Sequence, residues 1–315
     1  RNPFRDLEVQ AALSAWQKEP RSCARAVLAS RKANPEIADL AEKVAATDQE
    51  ELRRRAESLN RISGANVSVL PPDSRHVDYE CLPLILADGC LYGCRFCRVK
   101  SGKGFAERSR QDILGQLNGL REHFGPELAN YNALFFGLHD ALSCSQDLIL
   151  FAAEQAWEAL GLDASYVGPP QLFLFGSATA LLRAPERLFE RLNQLPFVQY
   201  INIGLESGDQ QSLDRLGKPL PARKVYLAFE RMLEINARYQ NIEVTANFMS
   251  SAGLSESHWD SLGHMAGTKP GHISDKGTIY LSPLETENKR FHLQRFKALK
   301  RASRLPVYLY LILRL

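Results

Sequence analysis

Three of the chain's six cysteines, Cys90, Cys94 and Cys97, fall within the eight residues CLYGCRFC. Thiolates at this three-plus-two spacing can each take one iron of a cubane cluster and leave a fourth iron open to an outside ligand. Other uses of the thiols fit less well. A zinc site wants four protein ligands, and no obvious fourth stands nearby. CRFC alone would serve as a dithiol redox pair, but Cys90 would then have no role. Three unrelated buried cysteines would need a coincidence of spacing. Because the cysteines cluster instead of spreading as a disulfide framework, they point to a reducing, cytoplasmic setting.

A cluster needs a frame. The 315 residues allow one large domain with an appendage, and 45% hydrophobic with 24% charged residues is an ordinary globular balance. No apolar run has spanning length, so an integral membrane protein is not expected. Residues 6–62 repeat apolar positions at helical spacing, and VLPPDSRHVDYE (69–80) reads as a linker rich in Pro and Asp. From residue 82 the texture changes to six short apolar runs: LPLILA (82–87), ALFFG (133–137), QLFLFGS (171–177), YINIGLES (200–207), IEVTANF (242–248) and TIYLS (278–282). Helical stretches separate them. Ser143 and Gln146 have capping-box spacing, Pro185 suits a first helical turn, and residues 221–235 are amphipathic. Strands alternating with helices imply a parallel α/β sheet with right-handed crossovers, either doubly wound or a barrel. In both, the working surface is the carboxyl end of the strands. Asp140, Ser177, Glu206 with Ser207, and Asn247 all fall at such ends, and the cysteines follow the first strand.

With these residues in view, CLYGCRFC resembles the CxxxCxxC motif of radical S-adenosylmethionine (SAM) enzymes, with Phe96 just before the last cysteine. The resemblance covers roughly residues 80–284, and GLESGDQQSLDRLGK (204–218) is most similar to the branch that includes oxygen-independent coproporphyrinogen oxidase. It implies a partial (β/α)6 barrel of the TIM type carrying one [4Fe–4S] cluster on Cys90, Cys94 and Cys97. SAM would chelate the open iron and, on one-electron reduction, give methionine and a 5′-deoxyadenosyl radical that abstracts hydrogen from substrate. The resemblance further implies that Asp140 lies where the SAM ammonium is held and that Ser177 and Glu206 lie at the ribose and methionine contacts. It puts Lys218 where a cation meets the carboxylate, Asn247 and Met249 on the nucleoside side, and Phe96 beside the adenine. Two departures stand out. GLHD (137–140) replaces the usual Gly-Gly-Glu, and Lys218 replaces an arginine, losing a bidentate fork while keeping the charge.

The resulting expectation is a core of residues 77–284, a helical region 1–76 that helps bound the substrate cavity or, in the alternative, forms a separate partner-binding module, and a basic tail 285–315. The tail carries 8 Lys/Arg against 2 Asp/Glu, while residues 77–284 carry 18 against 23. On a helix, Arg290, Lys297, Arg301 and Arg304 would share one side and Leu293, Phe296 and Leu299 the other, with Pro306 ending it. Such a face reads as solvated cations beside an apolar stretch that packs on the barrel; the sharper alternatives are docking of an acidic electron donor, a flavodoxin or ferredoxin, or of an anionic membrane surface. The expected activity is that of an oxidoreductase, isomerase or carbon–carbon bond-forming enzyme on a small or lipid-like substrate, with nucleic acid not expected as a partner. A non-catalytic iron–sulfur barrel is the alternative. His139 and Cys144 read as a polar loop residue and a small residue at a helix start, and Cys81 and Cys23 as core or surface thiols.

Overall fold

The computed structural model describes residues 3–30, 34–97, 104–268, 276–285 and 287–311. The chain divides into two compact units, one of Arg1–Arg61 and one of Ile62–Leu311. The first is helical, with α1 (Leu7–Leu28), α2 (Pro35–Ala46) and the greater part of α3 (Gln49–Ser63). Side-chain acceptors start the first two: Asp6 takes the Glu8 N–H and Asn34 the Glu36 N–H, and Pro35 sits in the first turn of α2, where a missing N–H costs nothing.

The second unit is built on seven strands: β1 (Cys81–Ile85), β2 (Ala133–Gly137), β3 (Gln171–Ser177), β4 (Val198–Glu206), β5 (Ile242–Ser250), β6 (Ile279–Pro283) and β7 (Val307–Leu309). Every adjacent pair is parallel, and the order across the sheet is the order along the chain. Each crossover therefore moves the chain one place in the same direction, which is the wall of a barrel and not a doubly wound sheet. The crossovers carry α4 (Arg110–Phe124), α5 (Gln146–Leu160), α6 (Ala178–Arg183) with α7 (Glu186–Gln194), α8 (Gln210–Leu216) with α9 (Ala222–Arg238), α10 (Glu256–Gly267) and α11 (Lys289–Ala302). The six expected strands are all present. The seventh, in the apolar tail, was not expected as a strand; Val307 is buried and Tyr308 exposed, the alternation of an edge strand with one face inward.

Several local expectations are corrected. Residues 69–80 are no linker: Pro72–His76 forms a 3-10 turn with Asp73 only 1% exposed, packed against the amino ends of the strands. Val67, Leu70 and Val77 join Ala133, Phe135 and Phe173 in one apolar group there, which is why this Pro-rich stretch is ordered. Ser143 does not cap α5; the N-cap is Ser145, and Ser143 instead donates to Asp140. Pro185 is the N-cap of α7, one place before the first turn. Arg304 lies beyond α11, which ends at Ala302, so it cannot share a helical face with Arg290, Lys297 and Arg301. Leu293 is 44% exposed; the inward side of α11 is His292, Phe296 and Leu299.

Among the described residues no helix is long and apolar enough to cross a membrane.

Candidate functional site

The end of β1 is fixed first. Gln116 of α4, itself buried, accepts from Ile85 N and donates to Ile85 O, both at 2.9 Å, so the strand's last backbone groups are satisfied before the chain turns. A two-residue antiparallel ribbon (Ala87–Asp88 with Ala106–Glu107) then closes the base of the loop that carries the cysteines. Arg108 locks that base, donating Nε and Nη2 to the two oxygens of Asp88 at 3.0 and 2.9 Å. Within the loop, Tyr92 N donates to Cys90 Sγ at 3.4 Å and Cys97 N to Cys94 O at 3.3 Å. Arg95 N donates to Leu216 O at 3.1 Å, docking the loop on the turn after α8. Gly217 makes that docking possible: its φ is +65°, and a Cβ there would stand 2.7 Å from Arg95 Cγ.

Next to the loop, β4 ends abnormally. Its register against β5 shifts between Gly204 and Glu206, and Glu206 has φ +68°, a region a non-glycine residue rarely occupies. The turn aims the Glu206 carboxylate back over Gly204, where a Cβ would lie 2.5 Å from Oε1. Lys218 meets it there. Its ammonium donates to Glu206 Oε1 at 3.1 Å and Gly204 O at 3.0 Å, and lies 5.5 Å from the centre of the Tyr92 ring. Both side chains are 6% exposed. Burial works to depress the Lys218 pKa, but the Glu206 charge beside it more than offsets this, so the amine is held above its ordinary value and stays charged. Glu206 Oε2 is buried and, among the described residues, has no hydrogen-bond partner. A carboxylate oxygen left dry is costly, and it marks a place where a donor is wanted.

On the other side, Asp140 follows β2 and joins Ser177 at the end of β3. Its Oδ1 accepts from Ser177 N at 2.9 Å and its Oδ2 from Ser143 Oγ at 2.7 Å. Ser177 also starts α6, its Oγ accepting from Ala180 N. Asn247, on β5, accepts from Ser282 Oγ of β6 at 2.7 Å. Met249 is buried with Leu216 and Leu254, and Phe96 packs against that group.

The cysteines sit electrostatically between these groups. Burial raises the thiol pKa of Cys90 and of Cys94; Asp140 and Cys97 push the same way at Cys90 and Glu206 at Cys94, while Lys218 opposes at both. Among the described residues, however, no three His, Cys, Asp or Glu side chains are gathered in metal-holding geometry, the three thiols included. The donor set still suits an iron–sulfur cluster. It offers three soft sulfur ligands on one loop, partly buried, with a cation beside them to balance thiolate charge.

His139 and Cys144 stand close by. Burial lowers the His139 pKa, and its Nε2 has no partner among the described residues. The Cys144 thiol is pushed up to about 12 by burial, so it is inert as a nucleophile. The sequence reading missed Gly204, Gly217, His258 and Ser282. Gly217 was readable as the glycine of LGK (216–218), closing a helix. Nothing in the sequence brings Ser207 to His258, 51 residues away, although their side chains meet at 2.9 Å.

No family model matches the chain, and no curated protein matches it. Solved structures do. One is the cobalamin-dependent S-adenosylmethionine radical enzyme OxsB, with 18% identity and a TM-score of 0.41 over 70% of this chain. The chain spans only 30% of OxsB's length. A radical SAM methyltransferase from Sphaerobacter thermophilus matches at 15% identity and TM-score 0.47, covering 77% of this chain and 68% of that one. Methylornithine synthase (PylB) matches at 11% identity and TM-score 0.46, covering 91% and 74%.

Proposed function

We propose that the chain is a radical SAM enzyme holding one [4Fe–4S] cluster on Cys90, Cys94 and Cys97. One observation carries the reading. A loop with CxxxCxxC spacing sits at the carboxyl ends of a parallel barrel wall, beside a buried Glu206–Lys218 pair that leaves a carboxylate oxygen without a donor. When bound, the cluster and SAM would supply an electron and a 5′-deoxyadenosyl radical able to take hydrogen from substrate.

The chain's own residues do the rest. The zwitterionic end of SAM needs both signs of charge. Glu206 Oε2 and the free lone pairs of Asp140 are acceptors for an ammonium, and Lys218 supplies a cation for a carboxylate. Phe96, Met249 and Leu216 give an apolar wall for the adenine, and Ser177 and Asn247 give hydroxyl and amide groups at its edge. The substrate in this reading is a small or lipid-like molecule. The likeness of residues 204–218 to the coproporphyrinogen oxidase branch rests on that stretch alone. Reduction is assigned to a flavodoxin or ferredoxin; Lys297 and Arg301 on the exposed side of α11 suit an acidic donor.

The test is anaerobic reconstitution with iron and sulfide, then SAM and dithionite, with 5′-deoxyadenosine as the readout. Formation of 5′-deoxyadenosine that is lost in Cys90→Ala, Cys94→Ala and Cys97→Ala supports the reading. A cluster without SAM cleavage would favour a non-catalytic iron–sulfur barrel, and a triple-alanine variant that kept four irons would overturn the ligand assignment.

A further inference from the structure

We infer that His258 is a positioning residue that holds the exit of β4 and so fixes Glu206 in the site. The inference rests on the radical SAM reading above, in which Glu206 faces SAM.

The need for a clamp follows from Glu206. A non-glycine residue at φ +68° carries backbone strain on the order of 1–3 kcal/mol and persists only where its surroundings over-determine it. The surroundings begin at the next residue. Ser207 is 0% exposed; its N–H donates to Leu205 O at 2.9 Å, and its Oγ accepts from Asp209 N at 3.0 Å. The same Oγ lies 2.9 Å from Nδ1 of His258, which is also 0% exposed. The imidazole therefore ties α10 to the residue after Glu206.

The helix that delivers the imidazole is anchored to the same corner. Ser255, the N-cap of α10, accepts from His258 N and donates its own hydroxyl to Asp209 Oδ2 at 2.8 Å. Asp209 Oδ2 also accepts Ser212 N at 2.9 Å and so starts α8, which leads to Lys218. Burial, helped by Arg295, pushes the His258 pKa down to about 4 against the pull of the Met249 carbonyl and Asp209, so the ring stays neutral under ordinary conditions. The device is repeated one strand further on. Ser250, ending β5 beside Met249, lies 2.7 Å from Nδ1 of His292 on α11. α11 thus holds the exit of β5 in the way that α10 holds the exit of β4.

A glutamine at 258 presents a planar hydrogen-bonding group and should keep the bond to Ser207, whereas leucine fills the space without it. Hydrogen exchange of residues 204–209, followed by mass spectrometry on the reconstituted protein without SAM, reads the clamp directly. Exchange there should speed up by about tenfold in His258→Leu and Ser207→Ala, stay near wild type in His258→Gln, and not change in β1–β3. The dissociation constant for SAM, from equilibrium dialysis, should rise by about tenfold in the same two variants with iron content unchanged. Wild-type exchange in Ser207→Ala, or a His258→Gln protein as loose as His258→Leu, overturns the inference. Should His258→Leu fail to fold, Ser207→Ala decides it. If the wild-type protein binds no SAM, the radical SAM reading fails while the exchange data still decide the clamp.

Discussion

The two ends of the barrel wall both bury charge, and they treat it in opposite ways. At the amino end, Asp73 accepts from Tyr280 Oη at 2.7 Å and Thr245 Oγ1 at 2.8 Å. Arg75 Nε donates to the same Tyr280 oxygen at 3.0 Å, and Asn202 Nδ2 to the Thr245 oxygen at 2.9 Å. The network closes on itself, leaving both Asp73 oxygens occupied. At the carboxyl end, Glu206 is paired through one oxygen only, on a backbone in a sparsely populated conformation, with its other oxygen buried and unpartnered. A complete network specifies and stabilises a fold; an incomplete, strained one is what a ligand can finish. The difference identifies which end is scaffold and which is site.

The largest test breaks the pair at the site end. Lys218→Met strands a buried carboxylate, which costs about 3–5 kcal/mol. Urea denaturation should show that loss, and adding Glu206→Gln should recover most of it. A loss too small to measure would mean that Glu206 is already protonated or hydrated, and the contrast between the ends would weaken.

At the scaffold end the test is pH. Burial raises the Asp73 pKa to about 6, against the lowering effect of its hydrogen bonds from Tyr280 and Thr245. The folded value thus exceeds the unfolded one, so the folded state binds the proton more tightly. The stability this confers is fully present below about pH 4 and is lost as pH rises through about 6, roughly 3 kcal/mol in all. Asp73→Asn should flatten this slope between pH 4 and 7 in denaturation midpoints. It should leave SAM affinity unchanged.

Tyr280→Phe comes next. It removes a donor to Asp73 and an acceptor for Arg75 together, and should cost about 1–3 kcal/mol. The ratio of SAM affinity to stability separates the ends: Tyr280→Phe should lower only stability, and Ser207→Ala chiefly affinity.

The site was more readable in the sequence than the scaffold end was. CLYGCRFC and the polar residues closing four strands are local patterns, and chain order turned out to equal spatial order, so strand ends in sequence are strand ends in space. The pairing of Lys218 with Glu206 spans only 12 residues. The Asp73 network joins residues 172 and 207 apart, and its Pro-rich context is the signature of a connector. No periodicity reports such contacts, because they depend on where the turn comes to rest. For the same reason the seventh strand was hidden. Three residues are too few to show alternation, and β7 exists because β6 offers it an open edge.

The smallest effect belongs to His76, the last residue of the amino-end turn. Its ring stacks on Tyr200, centroids 4.8 Å apart and planes 13° from parallel, and Tyr200 in turn stacks on Phe173 of β3 at 5.1 Å. Burial first, then the nearby Arg75, lowers the His76 pKa, with Glu243 opposing. The sign is therefore opposite to that of Asp73. A histidine whose folded pKa is depressed stabilises as the neutral ring, and that contribution is fully present above the unfolded value near 6.5 and is lost as pH falls from there through the lower folded one. Asp73 favours the folded state most strongly in acid, and His76 favours it toward neutrality. His76→Leu removes one stack and one titration, and because the ring is half-exposed the cost should be about 0.5–1 kcal/mol at pH 7. Below pH 5 the difference from wild type should shrink, since the wild-type ring is then protonated at its own expense. Denaturation of wild type, His76→Leu and Asp73→Asn across pH 4–8 would show the two arms separately. A His76→Leu deficit that grew in acid would mean that the protonated ring is the stabilising form, held by Glu243 as an ion pair.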